Sequence, residues 1–237
     1  MAGTPHSAKA DFAKVVERQV RNWELARAQR HPPRGDAPPA DVVDFVTISR
    51  AVGSGGSLVA TALGEKLQWP VFDREILQAM AGDDQLRARL YEHMDERDVS
   101  WLDAAVRWLI RGELPKDDYF YRLTESVLAL ARQGHAIFLG RAADLILPRE
   151  RGLRVRITAS PETRARTYAE RSGISDALAM AEVERVDRER QEFRRRFAVK
   201  APNDVTRHDL VLNMDRLSVD QAVEIIRAAL RARGIST

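Results

Sequence analysis

One stretch, Val46 to Ser57, limits what this chain can fold into more than any other; its sequence is V-T-I-S-R-A-V-G-S-G-G-S. The apolar, β-branched run from Val42 to Ile48 predicts a buried strand, and Leu58 to Leu67 predicts a helix with an apolar stripe. The glycine-rich segment between them predicts a tight turn. A strand, a glycine loop and a helix in this order place backbone N–H groups around a phosphate at the N-terminus of the helix.

The loop matches the phosphate-binding template G-x-x-x-x-G-K-[ST] only in part. Gly55 takes the place of the second glycine, and Ser57 takes the place of the hydroxyl residue that binds magnesium. Arg50 stands where the template has its first glycine, and Gly56 stands where it has its lysine. The loop is therefore suited to a polyphosphate but lacks the usual cation.

The composition excludes several classes of protein. The 237 residues suffice for one α/β domain with a substantial core, or for two small ones. No apolar run approaches the ~18 residues of a membrane span, and Met1 to Ala10 lacks the apolar segment of a secretory signal. The absence of cysteine excludes disulfides and thiolate metal sites and favours a cytoplasmic location. The 38 basic and 35 acidic residues are too balanced to indicate nucleic-acid binding, so we expect neither nucleic acid nor a membrane as a partner.

The first 40 residues differ from the rest. Ala8 to Arg30 has apolar residues at a spacing near 3.6, which predicts an amphipathic helix, and the proline-rich segment His31 to Pro39 predicts a linker. Residues 41–237 then form the main domain. The helix either packs on the surface of that domain or contacts a partner, for example in a homodimer; its few apolar residues favour the first alternative.

Strands and helices alternate along the main domain. Further strands are predicted at Trp69–Phe72, His135–Leu139, Leu153–Ala159 and Asp209–Asn213, and helices within Ile76–Ala131, after Ser160, after a cap at Ser175 or Asp176, and at Val219–Arg231. Arginines are dense from Arg185 to Lys200. This alternation predicts an α/β fold whose parallel sheet is covered by helices on both faces. Because arginines alternate with apolar residues from Leu153 onward, we expect one face of that strand to be less buried.

Three polar features lie at or near the carboxyl ends of the predicted strands, the edge at which an open α/β sheet binds its ligands. Asp73, at the end of the second strand, is either a site residue or the N-cap of the next helix. Arg141, beside Gly140 at the end of the third strand, can bind an anion. The arginine-rich segment after Gly173 is either a lid that closes on a phosphoryl group or a solvated charged helix, and the residue pattern alone favours the charged helix. Together with the loop, these features suit phosphoryl transfer, which needs anions held in line and water excluded.

An ordered series of motifs resembles the cytidylate kinase-like family, a divergent branch of the P-loop nucleoside monophosphate kinases. The motifs, found between about Asp41 and Arg231, are S-R-A-V-G-S-G-G-S, V-F-D-R-E-I-L, F-L-G-R-A-A-D-L-I-L, I-T-A-S-P-E-T-R, V-D-R-E-R and D-L-V-L-N. The resemblance implies an α/β, three-layer P-loop kinase fold with a helical insertion for the nucleoside monophosphate at about 74–133 and a lid at about 171–205. It also implies ATP and Mg²⁺ as cofactors and a nucleoside monophosphate, CMP or dCMP first, as acceptor.

The resemblance implies roles for individual residues as well. By this resemblance, the ATP phosphates are bound by Gly53, Ser54, Gly55, Gly56, Ser57 and Arg171, and Ser57 is also the metal ligand. Those that fall near the acceptor are Asp73, Arg141 and Asp144, and the catalytic candidates are Arg50, Asp187, Arg188 and Arg190. The branch shares the S-R-x-x-G-S-G-G form, and we expect Arg50 or a lid arginine to supply the charge of the missing lysine.

Two alternatives to a nucleoside monophosphate kinase remain open at this point. The missing lysine also fits a nucleotide-binding sensor or regulatory pseudokinase with little catalysis. A P-loop kinase that acts on another small phosphorylated or hydroxylated acceptor would carry the same loop. Turnover with a panel of acceptors separates the three.

Overall fold

The computed structural model describes residues 44–91, 94, 99–100, 102–106, 118–148, 151–197 and 205–235. The predicted N-terminal helix, its linker and the suggested homodimer contact lie outside these residues. The proposed boundaries of the insertion and the lid also fall partly outside them and stay predictions.

The core of the molecule is a five-stranded sheet in the order β2-β3-β1-β4-β5, in which every pairing is parallel. The strands are β1 (Phe45–Arg50), β2 (Val71–Phe72), β3 (Ala136–Leu139), β4 (Leu153–Thr158) and β5 (Leu210–Asn213). The central strand β1 pairs with both β3 and β4, so that Ile48 lies opposite Leu139 on one side and Val155 on the other. The carboxyl ends of these three strands therefore meet at one edge.

Eight helices with complete bounds accompany the strands in the described part of the chain. They are α1 (Gly56–Leu67), α2 (Arg74–Gly82), α3 (Asp84–Tyr91), α4 (Asp118–Arg132), α5 (Ala143–Ile146), α6 (Pro161–Ser172), α7 (Asp176–Phe197) and α8 (Val219–Ala232). A short 3₁₀ turn, Val205–Arg207, precedes β5. Ser160 caps α6 and Ser218 caps α8, each through its side-chain oxygen, as the sequence predicted.

Helices cover both faces of the sheet and make the predicted three-layer arrangement. Val46 and Ile48 of β1 pack in an apolar cluster with residues of α1 and α8, whereas Phe45 packs in a second cluster with residues of α2 and α4. The alternation of side chains along a strand explains this division, because neighbours in sequence point to opposite faces. The expected α/β fold, a parallel sheet between two layers of helices, is confirmed.

Two boundaries at the glycine loop differ from the prediction. The strand β1 continues to Arg50 instead of ending at Ile48, and α1 begins at Gly56 instead of Leu58. The longer strand follows from pairing, because Ser49 and Arg50 lie in register with Arg156 and Ile157 of β4. Arg50 is thus the last strand residue and has its backbone fixed by the sheet.

The basic face of β4 is covered more than the pattern indicated. Arg156 and Thr158 are half-buried, which agrees with a less buried face, but Arg154 is only 5% exposed. Its Nη2 donates a hydrogen bond of 2.5 Å to the carbonyl oxygen of Leu147, just after α5. The backbone carbonyl thus gives a partner to one nitrogen of a buried guanidinium that sequence alternation alone would place in solvent.

Among the helices that the structure describes, none combines the length and apolar character required to cross a bilayer.

Candidate active site

The phosphate loop, Ala51 to Gly55, connects β1 to α1 by a turn that two glycines make possible. Gly53 and Gly55 have φ values of 74° and 76°, in the left-handed region that other residues adopt only at a cost. The hydroxyl of Ser54 donates to the carbonyl oxygen of Ala51 at 2.9 Å and holds the turn closed. The helix α1 has no side-chain cap at Gly55, so its first N–H groups are available for an anion.

The helices α6 and α7 hold this loop from its other side. A Cβ on Gly53 would lie 2.2 Å from the carbonyl oxygen of Arg164, so α6 packs directly on the loop backbone. The amide of Val52 donates to Asp187 Oδ1 at 3.2 Å, and the other carboxylate oxygen of Asp187 pairs with Arg164. Asp187 therefore fixes the shape of the phosphate loop.

A cavity of about 180 Å³ opens beside the loop, at the carboxyl edge of the sheet. Six arginines and a single acidic residue line it, and the carboxylate of that acid, Glu189, pairs with Arg185 on α7. Such a surplus of guanidinium groups indicates an anionic ligand. The lining residues are Ser49, Arg50, Arg74, Gly140, Arg141, Ala142, Arg156, Glu189, Arg190, Phe193 and Arg194.

Arg141 reaches the cavity from a strained turn. Gly140, Arg141 and Ala142 have consecutive positive φ values of 83°, 52° and 55°, which for the two non-glycine residues costs backbone energy. The guanidinium lies 4.7 Å from the centroid of the Phe193 ring, and its Nη2 donates to Gln78 Oε1 at 2.6 Å. Burial lowers the pKa of Arg141. The strain, the stacking and the hydrogen bond together aim one cation at the cavity.

The long helix α7 has an inner and an outer face. On the inner face, Asp187, Arg190 and Arg194 follow each other at helical spacing and all contact the edge of the sheet or its loops. Arg190 Nη1 donates to the carbonyl oxygen of Arg50 at 3.0 Å. On the outer face, Arg188 pairs with Glu184 and has a side chain that is 66% exposed. The outer face agrees with the interpretation as a solvated charged helix, and the interpretation as a lid stays a prediction.

Asp144 lies beneath the cavity and is held by α7. Both of its carboxylate oxygens accept hydrogen bonds of 2.8 Å from the guanidinium of Arg194, and Ser49 Oγ lies 3.4 Å away. Burial acts to raise the pKa of Asp144, but the hydrogen bonds and charge of Arg194 outweigh it and hold the pKa below its usual value. The carboxylate is therefore occupied by Arg194, and this ion pair stabilises the position of α7.

The structure brings most of the predicted site residues together. Residues 53–57 form the end of the glycine loop and the first turn of α1, and Arg50, Arg141 and Arg190 line the adjoining cavity. Asp144 and Asp187 lie at its border, where they bind Arg194 and the loop backbone. The other three predicted residues are not part of this arrangement. Arg188 and Arg171 are exposed, and Asp73 is the N-cap of α2, accepting from the amides of Glu75 and Ile76.

Sequence reasoning missed several lining residues. They are Ser49, Arg74, Gly140, Ala142, Arg156, Glu189, Phe193 and Arg194. Arg156 carries a signal that could have found it, because an arginine within a mostly buried strand needs a partner or a ligand. Arg74 follows shortly after β2, in a position at the sheet edge similar to that of Arg141 after β3. Phe193 carries no comparable signal, since an aromatic residue on a helix usually indicates packing.

A magnesium ion fits this site through few protein ligands. Ser57 is half-buried in the first turn of α1, at the hydroxyl position of the phosphate-binding template. Within the described residues, no group of three or more His, Asp or Glu side chains is arranged to hold a metal. Magnesium commonly keeps several waters and binds substrate phosphates, so Ser57 would serve as one ligand among phosphate oxygens and waters.

Comparison with known proteins gives matches in sequence and in structure. The model of the cytidylate kinase-like family matches residues 45–216. A cytidylate kinase from Halobacterium salinarum is 30% identical over 193 residues, which cover 79% of this chain and 90% of that protein. An uncharacterized protein from Eubacterium ventriosum superposes with a TM-score of 0.63 at 21% identity and covers 80% of this chain and 98% of that one. At this identity, the structural match bears on the fold alone.

Proposed function

Because the chain belongs to the cytidylate kinase-like family, we propose that it transfers the γ-phosphoryl group of ATP to a nucleoside monophosphate, with CMP and dCMP as the first candidates. The observation that carries this proposal is the position of the arginine-lined cavity directly beside the phosphate loop, at the carboxyl end of β1. Two anion sites that share one strand end suit a donor phosphate and an acceptor phosphate held in line.

The donor binds at the loop. The N–H groups at the start of α1 and the left-handed turn at Gly53 and Gly55 surround the β-phosphate. Ser57 contributes its hydroxyl to a magnesium ion, which neutralises charge on the phosphates when it is bound. Asp187 and Arg164 keep the loop in this shape from behind.

The acceptor binds in the cavity through its phosphate. Arg141 supplies a preoriented guanidinium, since it stacks on Phe193 and is held by Gln78. Arg74 is exposed at the rim of the cavity and adds a second cation. Bidentate guanidinium contacts fix both the position and the orientation of a phosphate group.

In the reaction, an oxygen of the acceptor phosphate attacks the γ-phosphorus of ATP. The new oxygen–phosphorus bond forms as the bond from the γ-phosphorus to the bridging oxygen breaks, and that electron pair stays on the β-phosphate of ADP. The products are ADP and a nucleoside diphosphate, so atoms and charge balance without a co-reactant. The inner face of α7 lines the site, and a substrate bound against it would displace water, which would otherwise accept the phosphoryl group.

A coupled assay of ADP release with CMP, dCMP, UMP, AMP and GMP tests the proposal. We expect turnover with at least one acceptor, and we expect Arg141→Ala to raise the KM for that acceptor by about tenfold or more, because it removes a charge-assisted contact. Arg195→Ala is the matched control, since Arg195 is an exposed arginine on α7. ATP binding without turnover on any acceptor would overturn the proposal in favour of a nucleotide sensor.

One observation favours a second candidate, a kinase of a small phosphorylated acceptor other than a nucleotide. The cavity of about 180 Å³ lies below the roughly 300 Å³ at which small-molecule pockets usually begin. Asp144 is also engaged by Arg194, so its carboxylate is not open to a sugar hydroxyl. With small non-nucleotide phosphates added to the acceptors of this assay, turnover confined to them would select this candidate.

A further inference from the structure

The glycine in the place of the template lysine has a steric cause. A Cβ built on Gly56 would lie 2.7 Å from the Cβ of Arg50, and 3.4 Å and 3.5 Å from its Cγ and Cδ. Real Cβ atoms do not approach another carbon at 2.7 Å, and the Cβ of Arg50 is fixed by the strand. The side chain of Arg50 therefore occupies the space that any side chain at position 56 would need.

A second glycine admits the other end of the same side chain. A Cβ on Gly140, at the end of β3, would lie 2.7 Å from Arg50 Nη1. Gly56 and Gly140 thus form the two walls of a passage, which we call the glycine passage, and the side chain of Arg50 runs through it. The passage leads from the end of β1, where the template has its first glycine, to the acceptor cavity, which Arg50 lines.

The guanidinium of Arg50 has no anionic partner in the described part of the protein. Burial lowers its pKa to about 10, and the positive charge of Arg190 adds to this effect. The negative charges of Asp73 and Glu75 counteract the shift only in part, and Asp73 is engaged as the N-cap of α2. A partly desolvated cation without a paired carboxylate is costly, so its retention indicates an anion that binds there.

We propose that Arg50 is the catalytic cation of this chain, which contacts the transferred phosphoryl group and replaces the lysine of the phosphate-binding template. The proposal rests on the phosphoryl transfer inferred above. The backbone of Arg50 leads into the donor loop, and the residue lines the acceptor cavity. This role places its charge between the donor and the acceptor phosphate. Arg190 fixes this residue further through its 3.0 Å hydrogen bond to the carbonyl oxygen of Arg50.

Arg50 brings its positive charge to the phosphates from a different direction than the template lysine does. The template lysine follows the last glycine of the loop, whereas Arg50 comes from the strand end on the acceptor side. Its planar guanidinium can bind two phosphoryl oxygens at once, which a lysine ammonium cannot do in the same way. Charge that meets the phosphoryl group during transfer lowers the barrier to the reaction.

An exchange of the cation between the two positions tests the proposal. The variants are Arg50→Gly, Gly56→Lys and the double variant R50G/G56K, which restores the full template as G-A-V-G-S-G-K-S. Glycine is needed at position 50 because alanine would keep the Cβ that lies 2.7 Å from the position of a Gly56 Cβ. We expect Arg50→Gly to lower kcat by about 100-fold or more with less effect on the acceptor KM, as for loss of one group that stabilises the transition state.

Recovery in the double variant is the decisive result. We expect R50G/G56K to exceed Arg50→Gly in kcat by about tenfold or more, because the lysine then fits and returns a charge to the phosphates. Arg50→Lys, which keeps a charge in the glycine passage, should also exceed Arg50→Gly. Wild-type kcat in Arg50→Gly, or a folded, ATP-binding double variant no faster than Arg50→Gly, would overturn the proposal.

Two further readouts keep the outcome clear. Urea unfolding of each variant shows whether a loss of activity comes from a loss of folded protein. The matched arginine control is Arg227→Ala, because Arg227 lies on α8 and pairs with Glu224. Absence of turnover in the wild-type protein would count against the proposed function and not against Arg50. The variants are then compared by calorimetric binding of inorganic tripolyphosphate, for which we expect weaker binding in Arg50→Gly and recovery in R50G/G56K; equal binding in all would overturn the role of Arg50.

Discussion

The arginines of the cavity differ in what holds them. Arg194 is paired in a bidentate manner with buried Asp144, and Arg141 stacks on Phe193. Arg50 passes between two glycines and meets no carboxylate among the described residues. A cation paired with a carboxylate positions the site, whereas a cation held only by neutral groups stays available to an anionic substrate.

The pair of Asp144 and Arg194 makes a prediction about stability. Asp144→Asn leaves the Arg194 guanidinium without its counter-charge in a site where the side chains are 2% and 13% exposed. We expect the free energy of unfolding in urea to fall by about 3–5 kcal/mol, as for one-sided removal of a buried ion pair. Asp84→Asn, which removes a 73% exposed carboxylate from its pairs with Arg87 and Arg122, should cost no more than about 1 kcal/mol. Equal effects of the two substitutions would contradict the prediction.

The same pair predicts a pH dependence. The pKa of Asp144 is lower in the folded protein than its usual value of 3.8, because Arg194 outweighs the effect of burial. Its contribution to stability is therefore present above that value and is lost as the pH falls through the lower, folded pKa. Because the charge of His208 is coupled to that of Asp144, we expect the difference in unfolding free energy between wild type and Asp144→Asn to be constant only from about pH 7 to 8. Below the usual pKa of the carboxyl it should shrink as the pH approaches about 3. A difference that grows as the pH falls below that pKa would contradict this assignment.

Single residues were the hardest feature to predict from sequence. The position of Asp73 after a strand fits a site residue and an N-cap equally well, and only the hydrogen bonds to the amides of Glu75 and Ile76 show the capping geometry. Asp144 follows Arg141 by three residues, and the family resemblance puts both near the acceptor, yet the partner of Asp144 is 50 residues away on α7. Partners so distant in sequence are set by tertiary packing, which local patterns do not record.

At the scale of elements, the phosphate loop is held by both its own turn and the helix behind it. Gly53→Ala and Gly55→Ala each place a side chain at positive φ, which costs about 1–2 kcal/mol. Only the Cβ at position 53 would meet backbone, the carbonyl oxygen of Arg164 at 2.2 Å; nothing lies within 4 Å of a Cβ at position 55. We therefore expect Gly53→Ala to lower the urea unfolding free energy by about 2 kcal/mol more than Gly55→Ala does, and to weaken ATP binding in calorimetry more strongly. Similar losses in both variants would show that Arg164 does not constrain the loop.

The two faces of α7 make a prediction about catalysis. Arg190 lies on the inner face, bonded to the backbone of Arg50, whereas Arg195 is exposed. Arg190→Ala removes a cation from the cavity and a restraint on Arg50, so we expect kcat/KM to fall by about tenfold or more. Arg195→Ala should keep the wild-type value in the same assay. A fall of equal size in both would indicate that α7 acts through its overall charge instead of through its inner face.

Element boundaries followed from the sequence where a local signal exists. Ser160, Pro161 and Glu162 mark the start of α6, and Ser218 marks the start of α8, because capping uses residues close in the chain. The end of β1 was missed by two residues, since pairing with β4 extends the strand into the glycine loop. The inner face of α7 could not be assigned either, because arginines lie on all sides of the helix.

At the scale of the whole molecule, the alternation of strands and helices was enough to predict the parallel sheet and its two helical layers. It was not enough to predict the strand order, in which β3 lies beside β1 although 85 residues separate the end of β1 from the start of β3 (Arg50 and Ala136). That order brings the turn with Arg141 next to the phosphate loop and makes Gly140 a wall of the passage for Arg50. The site therefore depends on a topology that periodicity does not reveal.

A single measurement tests phosphoryl transfer at this site most directly. Wild-type protein is incubated with Mg²⁺, CMP and ATP radiolabelled at the γ-phosphate, and the products are separated by anion-exchange chromatography. We predict that the label moves from ATP into CDP as unlabelled ADP accumulates, and that dCMP as acceptor gives labelled dCDP. Label that stays in ATP, or that appears only in inorganic phosphate with every nucleoside monophosphate offered, would contradict a nucleoside monophosphate kinase.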